Sequence, residues 1–301
     1  MPRLNVQKNN QNIIKAFQVA LETGHRNLLD NPWFTVNQRN FTTSTGVNNF
    51  YSVDRWYIAR GTGTISKTSN GITINGVGAS RETTFQQMID CGDLTGRTVT
   101  LSVNDGGTIR QMAGEVPART ASNNIFIRFT LRNGVSAFLY AMATSSAYAY
   151  MLQFQVNAGY TIDLRAVKLE LGSYSTLAND VPPKKRSALA DCQERFLRVK
   201  SDTTVGVVGF GSQTQSDRAY ILIPTPVTME LNSNNTMSVS LTGTARLVGN
   251  GSGSITVTSV SFVSREANGV LIACFGSNIV ANVTYNLYLT SGSHIDISGD
   301  L

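Results

Sequence analysis

Histidine is almost missing from this chain of 301 residues: His25 and His294 are the whole supply. Neither has a cysteine, a second histidine or a pair of carboxylates at ligand spacing, so no metal site is assigned. The three cysteines, Cys91, Cys192 and Cys274, are odd in number and far apart. They carry no metal spacing and read as buried or half-buried thiols made in a reducing cytosol. Charge is also scarce, at 15% of residues. No run approaches the ~18 apolar residues of a membrane span, so membrane insertion is not expected. The opening MPRLNVQKNNQ lacks the apolar core of a secretory signal. No nucleophile elbow, phosphate loop or Cys-His pattern occurs. Asp90, Asp93, Glu170, Asp296 and Asp300 stand by turns or strand ends, where acids are ordinary. The expectation is therefore a protein that is not an enzyme and uses no cofactor.

Most of the net charge has one address. Residues 181–200 hold Lys184, Lys185, Arg186, Arg195, Arg198 and Lys200 against Asp191 and Glu194, which is four of the six net positive charges. The rest of the chain is nearly neutral and has no basic face interleaved with stacking aromatics. This reads as a solvated joint and not a nucleic-acid surface.

Abundant Ser, Thr and Asn, with 26 glycines, fit an all-β protein rich in turns. Strand signals recur over 63–67, 71–74, 81–89, 98–103, 125–131, 137–142, 148–156 and 160–171. The breaks include Asn70-Gly71, Asn75-Gly76, Asp105-Gly106-Gly107 and Asn133-Gly134. Asn-Gly and Asp-Gly mark tight turns because both residues tolerate positive φ. A second set follows over 205–211, 219–223, 237–241, 245–248, 254–262, 270–275, 285–289 and 294–298. The spacing predicts two antiparallel β-sandwiches. Trp33 and Trp56 sit in short β-prone runs and read as core anchors. Asp54 beside Arg55 reads as a local ion pair or a turn acceptor.

Two helices punctuate this pattern. Asn9 to Thr23 places Ile13, Ile14, Phe17 and Leu21 on one face, with Gly24 as the stop. So short a helix is marginal alone, so its apolar face must dock on its own domain, on sister chains or on another protein. In the joint, Pro182-Pro183-Lys184-Lys185-Arg186 cannot continue a sheet. Ser187 can then cap a helix carrying Leu189, Cys192, Phe196 and Val199, whose spacings of three, four and three put them on one stripe. The expected domains are 1–24, an N-terminal helical segment; 25–180, a β-sandwich; 181–200, a basic helical linker; and 201–301, a C-terminal β-sandwich.

Several segments resemble phage and prophage tail-fibre proteins. Asn27-Leu28-Leu29-Asp30-Asn31-Pro32-Trp33-Phe34 leads to Asn37-Gln38-Arg39 and then Tyr51-Ser52-Val53-Asp54-Arg55-Trp56. Leu94-Thr95-Gly96-Arg97-Thr98-Val99-Thr100-Leu101-Ser102 follows, and Lys168-Leu169-Glu170-Leu171-Gly172 closes the module. Cys192-Gln193-Glu194-Arg195-Phe196, Ile223-Pro224-Thr225-Pro226-Val227 and the terminal Ile295–Leu301 are similar to the family's linker and C-terminal domain. Phe196 stands where a Tyr is usual, and Val227 where a Met is.

The resemblance implies a virion fibre of a bacteriophage, made in the host cytoplasm, that binds the host surface, with glycan the expected receptor. It implies a homotrimer, with Leu189, Cys192, Phe196 and Val199 as the trimer contact. It implies attachment to other virion proteins through Ile13, Ile14, Phe17 and Leu21. Recognition is expected at the turns of 201–301, with Phe210, Tyr220 and Phe275 as glycan-binding candidates. The jelly roll over 28–171 is the competing site. Alternatives are a capsid-decorating head fibre or baseplate component without an essential receptor, and a glycan depolymerase.

Overall fold

The computed structural model describes residues 26–46, 49–77, 82–121, 125–144, 150–201, 205–215, 217–231, 237–249 and 253–299. The expected helix with Ile13, Ile14, Phe17 and Leu21 lies outside them. The described residues are mostly strand, with one α-helix, and every pairing given is antiparallel. The chain divides into two compact units, Met1–Pro183 and Lys184–Leu301.

The first unit holds twelve strands: β1 (Thr43–Thr45), β2 (Phe50–Tyr51), β3 (Tyr57–Arg60), β4 (Thr64–Lys67), β5 (Ile72–Asn75), β6 (Thr83–Ile89), β7 (Thr98–Asp105), β8 (Thr108–Glu115), β9 (Ile125–Arg132), β10 (Val135–Ala141), β11 (Tyr150–Val156) and β12 (Thr161–Leu171). They form two six-stranded sheets, in the orders β1-β4-β5-β12-β7-β8 and β2-β3-β6-β11-β10-β9. Side chains alternate across a strand, so each sheet gives one face to the other. Ile72, Ile74, Leu101, Val103, Ile162 and Leu169 from the first sheet, and Phe85, Phe129, Leu139, Leu152 and Phe154 from the second, make one buried core. Trp56 is fully buried in it, stacked on Phe85 at 5.0 Å between centroids, and its indole N–H donates to Asn31 O at 3.2 Å. Trp33 is half-buried.

The loop preceding β1 is tightly bonded. Phe34 is fully buried with a φ of +56°. The strain is offset by Asn31, whose amide donates to Val36 O and Asp54 O and whose oxygen accepts from Val36 N–H. The buried carboxylate of Asp54 accepts from Gln38 and Arg39, while Arg55 donates to Asp30 at 2.9 Å. Arg55 has a φ of +72°.

The second unit begins with α1 (Lys185–Gln193) and continues through β13 (Phe196–Lys200), β14 (Val205–Gln215), β15 (Arg218–Pro224), β16 (Ser238–Thr242), β17 (Ala245–Gly249), β18 (Gly253–Thr256), β19 (Ser259–Glu266), β20 (Gly269–Phe275), β21 (Thr284–Thr290) and β22 (His294–Ser298). A three-stranded sheet, β13-β22-β16, and a seven-stranded sheet, β18-β17-β21-β14-β15-β20-β19, share a core around Ile221, Ile272, Tyr285, Leu287, Ile295 and Ile297.

The joint departs from expectation. The helix stops at Gln193, and Phe196 and Val199 lie on β13, paired with Ser298 and Ile295 of β22. Leu189, Cys192, Phe196 and Val199 are therefore not one helical stripe. Aromatic and β-branched residues from Phe196 to Val199 favour the sheet. The bidentate bond from Arg198 to its register partner Asp296, at 2.7 and 2.6 Å, locks that pairing. Helix and strand belong to the second compact unit.

Candidate functional site

The second sheet of the first unit carries an unusual set of side chains on the face turned away from the core. Strand register puts directly paired residues on the same face. Across β3, β6, β11, β10 and β9, one row reads Tyr57, Gln86, Gln153, Phe138, Arg128. A parallel row reads Arg60, Thr84, Gln155, Ser136, Thr130. A third runs Met88, Met151, Tyr140, Phe126. Tyr51 of β2 extends the middle row beside Tyr57, edge-on at 5.0 Å.

The face has a buried floor and an open rim. Gln86 and Gln153 keep only 6% and 5% of their surface exposed, and Phe138 keeps 9%. Tyr51, Tyr57 and Tyr140 are half-buried, and Phe126, Arg60 and Arg128 are exposed. Phe126, Phe138 and Tyr140 form a cluster with centroids 5.4 to 6.0 Å apart. The Arg128 guanidinium lies over the Phe138 ring at 5.7 Å and donates to Ser136 Oγ.

The floor is a chain of amides. Gln155 Nε2 donates to Gln153 Oε1 at 3.1 Å, Tyr140 OH donates to the same oxygen at 3.4 Å, and Gln153 Nε2 donates to Gln86 Oε1 at 2.7 Å. The chain ends at Gln86. Its Nε2 has no acceptor among the described residues, although the residue is more than nine-tenths buried. A buried donor without a partner is costly, and such groups mark where a ligand's acceptor belongs. Burial raises the phenol of Tyr57 above its ordinary value. Burial also raises Tyr140, against a lowering by Arg60 and with a further rise from Glu82. Both phenols therefore remain neutral hydrogen-bond groups near pH 7. Rings beside fixed amides suit a ligand with apolar faces and many hydroxyls.

This face was not foreseen from sequence. Its signal is there in pairs two apart, Gln86 and Met88, Phe138 and Tyr140, Gln153 and Gln155, each pair pointing one way from a strand. What sequence could not supply was that these strands are neighbours.

The three residues expected to bind glycan also come together, on the seven-stranded sheet of the second unit. Phe210 pairs with Leu222, and Tyr220 lies two residues before Leu222 on the same face. Phe275 pairs with Arg218, whose guanidinium lies over its ring at 5.0 Å. Phe210 is 53% exposed, and Tyr220 and Phe275 are half-buried. Their surroundings are apolar: Val207, also exposed, and half-buried Leu222 and Leu271. This face has fewer fixed hydrogen-bonding groups than the amide floor of the first unit.

The other residues weighed for chemistry are engaged singly. Glu170 is buried, 3.4 Å from Lys168 and bonded to Thr176. Asp296 is held by Arg198. Asp93 accepts from Thr95 and from Tyr150. No group of three metal-ligating side chains occurs among the described residues. No helix there is long and apolar enough to cross a membrane.

No protein-family model matches the chain, and no curated protein sequence matches it.

Proposed function

We propose that this chain is a component of a bacteriophage fibre that binds saccharide on the host surface through the outer face of the β2-β3-β6-β11-β10-β9 sheet. One observation carries the binding half: the buried amide chain ending at the unpartnered Gln86 donor, flanked by Tyr57 and the Phe126, Phe138, Tyr140 cluster. Fixed donors can take sugar hydroxyls, and the rings offer apolar faces to pyranose carbons. The fibre half rests on the resemblance in Asn27–Arg39, Tyr51–Trp56 and Lys168–Gly172. In this reading the first unit is a jelly-roll-like sandwich, the N-terminal residues Ile13, Ile14, Phe17 and Leu21 contact other virion proteins, and the fibre is a homotrimer. Since Leu189, Cys192, Phe196 and Val199 share no helical stripe, the trimer now rests on the resemblance alone.

Adsorption of the whole purified chain to susceptible cells tests the binding half. Mild periodate oxidation of the cells, which destroys vicinal diols of sugars, should abolish adsorption, and protease treatment should spare it. Adsorption that survives periodate and fails after protease would assign a protein receptor instead.

A further inference from the structure

We infer that the ligand of this face is an anionic polysaccharide, whose carboxylates are received at the two ends of the face by Arg60 and Arg128. The inference rests on the saccharide reading above and narrows its ligand class.

The strand arginines of the first unit are mostly paired with carboxylates. Arg110 and Arg132 share the carboxylate of Asp105 at 3.0 and 2.8 Å, and Arg165 takes Asp163 at 3.2 Å. Arg60 on β3 and Arg128 on β9 are the strand arginines of this unit with no carboxylate in ion-pair distance among the described residues. Both lie on the face that carries the unpartnered amide. Arg128 is held in place, stacked on Phe138 and bonded to Ser136 Oγ, yet stays exposed. A guanidinium fixed by a ring and a hydroxyl keeps other donors free for a planar anion. Glu82, exposed just before β6, is an acid whose charge reaches Tyr140 together with that of Arg60. It forms no ion pair with either arginine, so the face keeps an excess of positive charge.

The separation sets the kind of ligand. From β3 to β9 there are four strand steps, β3-β6-β11-β10-β9, which is roughly 19 Å at ordinary strand spacing. A chain of several sugars with repeated acid groups, lying across the strands over the amides and rings, would meet both arginines.

The test is an array of neutral and uronate-bearing oligosaccharides, each uronate spotted beside its carboxyl-reduced form and probed with the whole chain. The uronate should bind about tenfold better than its reduced form, as charge-assisted hydrogen bonds predict. That margin should shrink as sodium chloride is raised, because exposed charges are screened. In the Arg60→Gln, Arg128→Gln double variant the preference should collapse toward one. Equal binding of the two forms by the unmodified chain would overturn the anionic assignment and leave the saccharide reading intact. Binding to no carbohydrate on the array would overturn both.

Discussion

Asp93 shows how much one exposed turn residue can be tuned by its neighbours. Its carboxylate is held at about 2 by the Thr95 hydroxyl first, then by the Thr95 N–H and the Tyr150 hydroxyl. A folded-state pKa below the ordinary 3.8 means the stabilising contribution is present above that value and is lost as pH falls through about 2. Thr95→Val should raise the Asp93 pKa toward 3.8, read from its carboxyl carbon shift in an NMR titration. No movement would show that Thr95 is not the cause. Thiols run the other way. Burial pushes Cys274 up to about 12, and burial with Asp90 nearby pushes Cys91 up to about 11. Since the thiolate is the nucleophile, iodoacetamide at pH 8 should leave both unmodified in the folded chain and alkylate both after denaturation. Mass spectrometry reads this directly, and rapid alkylation of folded Cys274 would contradict its burial. Asp54 carries a fully buried carboxylate. Asp54→Ala strands Arg39, which is largely buried, so chemical denaturation should show the first unit weakened by about 3 kcal/mol.

Turns and strand ends separate what the sequence made legible from what it did not. The Asn133-Gly134 pair announces the β9–β10 hairpin, and Gly134 has a φ of +70° there. A Cβ on Gly134 would also sit 2.2 Å from the Tyr160 ring, whereas Gly159, at φ +79°, has nothing within 4 Å. Gly134→Ala should therefore cost more than Gly159→Ala, which loses about 1 kcal/mol from backbone strain alone. Equal losses in thermal melts would mean that the Tyr160 contact is easily relieved. Strands with clear alternation, such as Ile72–Asn75 or His294–Ser298, follow the written pattern closely. Thr108–Glu115 gave no signal because it is a sheet-edge strand with little buried surface and hence no apolar period. Phe196–Lys200 was misread as helix because Leu189, Cys192, Phe196 and Val199 happen to fall at helical intervals. Pairing with β22, far away in sequence, decides its conformation. The candidate face was illegible for the same reason. Gln86 and Gln153 are sixty-seven positions apart and become partners only through strand order.

At the scale of the whole chain, two units with separate cores divide at Pro183 and Lys184. Each presents one aromatic sheet face, and the two differ in kind. The first unit sets rings among fixed amides and unmatched arginines, while the second sets Phe210, Tyr220 and Phe275 among valines and leucines. Saccharide binding is proposed for the first. A carbohydrate array probed with the whole chain and with two folded variants decides this most directly. Tyr57→Ala with Phe126→Ala strips rings from the first face, and Phe210→Ala strips the most exposed aromatic from the second. The first variant should lose carbohydrate binding, and Phe210→Ala should keep it. Binding retained by the first variant and lost by Phe210→Ala would contradict the account and move recognition to the seven-stranded sheet.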